Sequence, residues 1–398
     1  MARKILKQYL ALILATSFFQ GLHFVTYTLF LTGRKMDLLE INLINMLYMS
    51  IVFLLEVPTG SIADVFGRKT SMVLGHIFGA IGFLVYYFAN NFWLFVLAEF
   101  ILAIGATLLS GATDAWIISS MKHHRFRGDF GKIFRSESVL KRTGIIVGSL
   151  AGAYMGNFDL AMPWLISSFG AIGCALFCAA IFKEEYFEKS KEAFGFSGAL
   201  SSIANVSRTS IDYGIRNKSI LYVTLFSVTL AMSLQAFNMQ WSLVLKNNFA
   251  LMVSDTGWFF VLMSLSILAG NQLSVRFAKL FNNPKSAVVC SQIPTAAGMI
   301  IASSMLNLPM VMIGFIIHEL GRGAMEPIKK TYLNERIPDD TRATVNSFDS
   351  MISTGGSALG LLLSGYAAKM LSIPLTWLFS GIFLFASIIL FLKLRNGK

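Results

Sequence analysis

Apolar residues run along this chain in twelve long blocks separated by short polar breaks. The blocks fall at approximately 6–33, 40–63, 70–90, 92–119, 133–156, 160–182, 218–245, 254–280, 285–305, 308–329, 343–368 and 374–394. At 1.5 Å per residue, a helix of about 20 residues crosses the ~30 Å hydrocarbon layer of a bilayer. The pattern therefore predicts twelve transmembrane α-helices. The first block holds an uncharged run from Gln8 to Gly33. That is too long for a signal-peptide apolar core, and no small-residue cleavage site follows it, so it is read as a retained helix. The longest polar interval, Lys183 to Asn217, carries Glu184, Glu185, Glu188, Lys189, Lys191 and Glu192 and then a small-residue stretch. It divides the chain into an N-terminal six-helix bundle (1–182), a linker (183–217) and a C-terminal six-helix bundle (218–398).

Composition agrees with a membrane class. Of the 398 residues 55% are hydrophobic and 14% charged, against about 25% charged in soluble domains. A net charge of +12 invites a nucleic-acid reading, but the placement of the charges excludes it. The segments alternate in charge, and 28 of the 33 basic residues fall in the terminal segments and the polar intervals on one side of the expected membrane. By the positive-inside rule that side is the cytoplasm, and both termini lie there. The three cysteines sit in apolar stretches without metal-ligand spacing. No metal or other cofactor is expected.

The two halves repeat. Gly111-Ala112-Thr113-Asp114-Ala115 in block 4 matches Gly323-Ala324-Met325-Glu326-Pro327 in block 10, and Thr143-Gly144 matches Thr354-Gly355. Gly60-x-x-x-Asp64-Val65 matches Gly270-x-x-x-Ser274-Val275, with Lys69 opposite Lys279. All three matches lie at offsets of 210 to 212 residues, the mark of a duplicated bundle.

Between blocks 2 and 3 stands Gly60-x-x-x-Asp64-x-x-Gly67-Arg68-Lys69. This spacing resembles the signature loop of the major facilitator superfamily, and the resemblance extends over the whole chain. It implies an all-α integral membrane protein, two pseudo-symmetric six-helix bundles in the major facilitator fold, working as a secondary transporter. In that family the loop cluster latches the outward-facing state. Here the latch residues are Gly60, Asp64, Gly67, Arg68 and Lys69, with Asp114 as the acid expected to pair with Arg68 and Glu326 as its second-half counterpart. A plainer reading is a polar loop that obeys only the positive-inside rule, but basic residues alone would satisfy that.

Ionisable groups within spans are costly and by default face a cavity or a partner. Glu56, Glu99, His318, Glu319 and Arg322 are such groups. On block 10, Glu319 and Arg322 lie three residues apart, and His318 and Arg322 four, so all can touch on one helix face. Glu319, Glu99, Arg322, His318 and Glu56 are accordingly the proton-coupling candidates, against the alternative of static ion pairs that set helix packing. Bacterial drug:proton antiporters carry an arginine where Glu99 stands, so their relay does not transfer to it. Block 5 reads Gly144-x-x-x-Gly148-x-x-x-Gly152-x-x-x-Gly156. This ladder resembles the antiporter motif of the same exporters without its proline, and close helix packing explains it equally well.

Polar and aromatic residues in the middle of blocks 1 and 7, namely Gln20, His23, Tyr27, Asn238 and Trp241, are the substrate-binding candidates. Mixed with Phe and Met they suit an amphipathic small molecule. The expectation is a monomeric, proton-coupled exporter of such molecules in the cytoplasmic membrane of a bacterium, with lipid, protons and substrate as its partners and no nucleic acid. The alternatives are a proton symporter for one metabolite and a non-transporting sensor or intramembrane enzyme. No nucleophile elbow or paired aspartates in the spans support an enzyme.

Overall fold

The structure, a computed structural model, describes residues 1–184, 218–335 and 342–393, with the side chains at 57–58, 60–65, 218–220, 334, 342–348 and 393 left aside. Nearly all of the expected linker lies outside the described residues. The described chain is all-helical. Its segments are α1 (Ala2–Leu22), α2 (Tyr27–Gly33), α3 (Leu38–Phe66), α4 (Arg68–Phe88), α5 (Phe92–His123), α6 (Phe130–Gly156) and α7 (Met162–Ile181), then α8 (Lys218–Phe249), α9 (Val253–Ala278), α10 (Pro284–Cys290), α11 (Ile293–Ser303), α12 (Leu308–Asn334), α13 (Arg342–Met370) and α14 (Ile373–Lys393). Two pairs are single spans broken near the middle. The break between α1 and α2 holds His23. The break between α10 and α11 holds Ser291 and Gln292, with Pro294 in the first turn beyond it, where proline cannot supply a helical N–H. The described chain thus forms twelve helices, ten of them long and apolar enough to cross a membrane.

The chain divides into two compact units. The first takes in Met1–Met36, Leu47–Ser202 and Leu251–Phe260; the second takes in Asp37–Met46, Ile203–Ala250 and Val261–Lys398. Within the first, α1 packs on α6 and α7, and α4 on α5 and α7. Within the second, α8 packs on α13 and α14, and α11 on α12 and α14. The two sets of partners match position for position, which is the fold-level form of the sequence repeat.

Glycine sets the closest of these contacts. A Cβ at Gly148 would lie 2.1 Å from the Phe18 carbonyl oxygen, and one at Gly152 would lie 1.7 Å from that of Leu22. The ladder of α6 is therefore a backbone-to-backbone seam with α1, and Ser149 adds a hydrogen bond of 3.1 Å to the Gly21 carbonyl. In the second unit, Gly356 and Gly360 face the Val228 and Met232 carbonyls in the same way. Gly355 meets nothing within 4 Å. The counterpart of Gly144 is therefore Gly356, one residue beyond the match suggested by the Thr-Gly pairs. Gly270 and Gly323, two of the repeat glycines, bring α9 and α12 together against the Leu320 and Ile267 carbonyls.

The start of α3 is fastened inside the second unit. Asp37 and Glu40 exchange backbone N–H bonds of 2.9 Å each, a reciprocal cap. Lys369 reaches Asp37 at 2.6 Å. One turn on, the fully buried Asn42 donates to the Leu361 carbonyl at 2.7 Å and the Ser364 hydroxyl at 3.1 Å.

Candidate functional site

Gly67 separates α3 from α4 with φ of 95°, a left-handed conformation that side chains disfavour. This lets α4 begin at once, and the Arg68 N–H at its start donates to the Glu184 carboxylate at 2.9 Å, a favourable place for an anion. The Arg68 guanidinium donates to the Ala115 carbonyl at 3.0 Å and to the Ser119 hydroxyl. It forms no ion pair with Asp114 among the described residues. Asp114 instead lies 3.4 Å from the Tyr9 hydroxyl, which donates at 2.7 Å to Glu137. Tyr9 is fully buried, so α1, α5 and α6 meet here through one phenol and two carboxyls. Lys69 is half-buried, and the side chains of Gly60 and Asp64 lie outside the described set. In the second unit Glu326 is exposed and paired with Lys330 at 2.7 Å. A partly buried acid of the same unit, Asp349, is bound to Lys329 at 2.5 Å. Glu137 and Asp349 were missed by sequence reasoning because they stand in the polar opening turns of α6 and α13. Their separation of 212 residues, the repeat offset, was the available signal.

In the first unit the buried polar centre is Glu99 on α5, 6% exposed. Its Oε1 accepts from the Tyr86 hydroxyl at 2.5 Å and the Tyr27 hydroxyl at 3.3 Å. Trp164 stacks flat on Tyr86, with centroids 4.0 Å apart, and on His23 at 4.4 Å. His23 also faces the Ser167 hydroxyl at 3.5 Å. That oxygen spends its own proton on backbone carbonyls, so His23 is the donor in this contact. No basic side chain pairs with Glu99 among the described residues. The structure thus gathers His23, Tyr27 and Glu99, expected on separate grounds, and adds Tyr86 and Trp164.

In the second unit the centre is on α12. Glu319 is 1% exposed, and its Oε1 lies 3.5 Å from Arg322 Nη1 and 3.9 Å from His318 Nε2. The same Nη1 donates to Asn238 Oδ1 at 3.1 Å. His318 lies 3.3 Å, through Nδ1, from the Thr295 carbonyl and packs on the Phe237 ring. Phe237 in turn contacts Phe315 and Trp377. His318, Glu319, Arg322 and Asn238 therefore form one site. Trp241 is buried on the same helix as Asn238. Gln20 and Glu56 are exposed and join neither centre. Trp164 and Trp377 both open the last helix of their unit, 213 residues apart, and each anchors an aromatic cluster beside the buried acid.

The sequence matches the Major Facilitator Superfamily over residues 9–239 and 221–398. It is 22% identical to the uncharacterized MFS-type transporter YxaM of Bacillus subtilis over 93% of this chain and 91% of that protein. It is 27% identical to the multidrug resistance protein MdtH of Salmonella arizonae, over 30% of this chain and 29% of that protein. Among solved structures, a variant of the nucleoside transporter NupG superposes with a TM-score of 0.80 at 15% identity, covering 98% of this chain and 99% of that one.

Proposed function

This chain belongs to the major facilitator superfamily, and from that premise we propose that it exports amphipathic small molecules in exchange for protons by alternating access. The observation that carries the reading is the α12 centre. Glu319 is buried beside Arg322, whose guanidinium it shares with Asn238 on α8. A carboxyl so placed alternates between a proton and an arginine as α8 and α12 adjust. Proton loss leaves it ion-paired, and proton gain leaves Arg322 to Asn238. Glu99, which accepts from two phenols and meets no basic side chain among the described residues, is the second acid suited to exchange a proton for a cationic ligand. The aromatic walls around both centres fit an amphipathic substrate. The partial likeness to MdtH supports the drug-exporter side of this reading. The charge asymmetry supports cytoplasmic termini in a bacterial inner membrane, and the protein works as a monomer. The loop cluster around Arg68 stabilises one of the two conformational states.

The test is efflux of ethidium from a bacterium stripped of its own drug pumps, with and without a protonophore. Efflux that collapses with the protonophore, and that falls at least tenfold in Glu319→Gln at equal expression, is the expected result. No efflux of ethidium or other lipophilic cations, with proton-driven uptake of a metabolite instead, would overturn the export reading in favour of symport.

A further inference from the structure

We infer that the coupling proton is held jointly by His318 and Glu319, between the imidazole Nε2 and the carboxyl, with the Thr295 carbonyl fixing the tautomer that makes this possible. The inference rests on the proton-coupled reading above and specifies how its site binds the proton.

A backbone carbonyl only accepts hydrogen bonds. The contact between His318 Nδ1 and the Thr295 oxygen therefore places a hydrogen on Nδ1. In the neutral ring the lone pair then sits on Nε2, the atom turned toward Glu319. An ionised Glu319 is also only an acceptor, so the two buried groups face one another with no donor between them. Among the described residues neither Nε2 of His318 nor Oε2 of Glu319, both buried, has a hydrogen-bond partner, an arrangement that costs about 1–3 kcal/mol per group if left so. One proton supplies the missing donor for the pair.

Among the described residues no other donor is bonded to either atom. From α8 the pair faces Phe237 and Asn238, from α11 Thr295, and from α12 Arg322, which is already divided between Asn238 Oδ1 and Glu319 Oε1. Gln292, beside them at the break before α11, donates to Ser291 and the Gly321 carbonyl and accepts from Thr295. The backbone that carries the imidazole is also fixed in place. Gly298 lets α11 approach so closely that a Cβ there would lie 2.5 Å from the His318 backbone nitrogen. When the proton leaves for water, the pair passes from neutral to one negative charge, which Arg322 then balances.

Two measurements test this. The first needs no substrate. The chain has five histidines, so ¹⁵N-histidine-labelled protein in lipid nanodiscs gives few signals, and His318→Phe identifies the one of interest. The expected neutral form carries hydrogen on Nδ1, with an Nε2 signal that moves in Glu319→Gln. A hydrogen on Nε2, or a signal indifferent to Glu319→Gln, would overturn the proposal whether or not the protein exports drugs. The second measurement is a double-mutant cycle on purified protein in proteoliposomes, reading ethidium movement driven by a pH gradient. His318→Phe and Glu319→Gln are each expected to lose at least tenfold, and the double variant no more than the worse single. Both single variants should keep the wild-type thermal unfolding temperature in detergent within a few degrees, which a merely structural loss would not spare. Losses that multiply in the double variant would mean separate roles and refute a shared proton.

Discussion

The glycine seam between α1 and α6 makes a prediction that separates packing from a specialised antiporter motif. Consider Gly152→Ala. The added methyl would lie 1.7 Å from the Leu22 carbonyl oxygen, about 1.3 Å short of the 3.0 Å below which such contacts are essentially not seen. At Gly148 the same change brings the methyl to 2.1 Å from the Phe18 oxygen. Both obstructions are backbone, which no side-chain rotation relieves, so the helices must part along the seam. Overpacking of this kind costs about 1–3 kcal/mol per site. Gly79 on α4 is the control, because a Cβ there meets nothing within 4 Å, and alanine should instead gain about 0.5–1 kcal/mol of helix propensity. The expected spread between the two kinds of variant is thus about 1.5–4 kcal/mol. Fluorescence-detected thermal unfolding in detergent reads it: Gly148→Ala and Gly152→Ala unfold several degrees below wild type, and Gly79→Ala at or above it. Ethidium efflux should fall only in step with the folded fraction. Wild-type stability in Gly152→Ala combined with lost efflux would refute the packing account and restore a direct role in transport.

Two further predictions concern single side chains. Burial alone would raise the Asp37 carboxyl, but the Lys369 ammonium and the Glu40 and Leu39 N–H groups outweigh it and hold Asp37 below the ordinary carboxylate range. Its contribution is therefore present above the unfolded value of about 3.9 and is lost as pH falls through the lower folded value. Lys369→Ala should lower thermal stability slightly at neutral pH, and the difference from wild type should vanish in strong acid; a difference that grows on acidification would contradict the sign. Tyr86→Phe keeps the ring on Trp164 but removes the 2.5 Å donor to Glu99. A lost bond to a buried carboxyl is worth about 1.5–3 kcal/mol, so the ethidium concentration for half-maximal efflux should rise roughly tenfold or more with folding intact. An unchanged concentration dependence would remove Glu99 from the substrate path.

The sequence by itself determined the twelve helices, their internal repeat and two of the buried acids, Glu99 and Glu319. Each of these is a property of one dimension. Apolar length is counted along the chain, duplication shows as a fixed offset, and an acid inside an apolar run declares itself without a partner being known. The pairing of Glu319 with Arg322 was legible too, because three residues on a helix is a local distance. Tertiary structure alone decided the partners. Arg68 turned to Ala115 and Ser119 while Asp114 went to Tyr9, since on α5 a single turn carries a side chain from one neighbouring helix to the next. Tyr86 and Trp164 gave no signal as aromatic residues in apolar runs, and acquire meaning only where α4 and α7 bring them to Glu99. The true glycine register, Gly356 rather than Gly355, depended on which face of α13 meets α8. The tautomer of His318 depended on a carbonyl 23 residues away. Hydrogen bonds and close contacts between helices join residues remote in sequence within an ångström or so of tolerance, and the order of residues along the chain does not contain that distance.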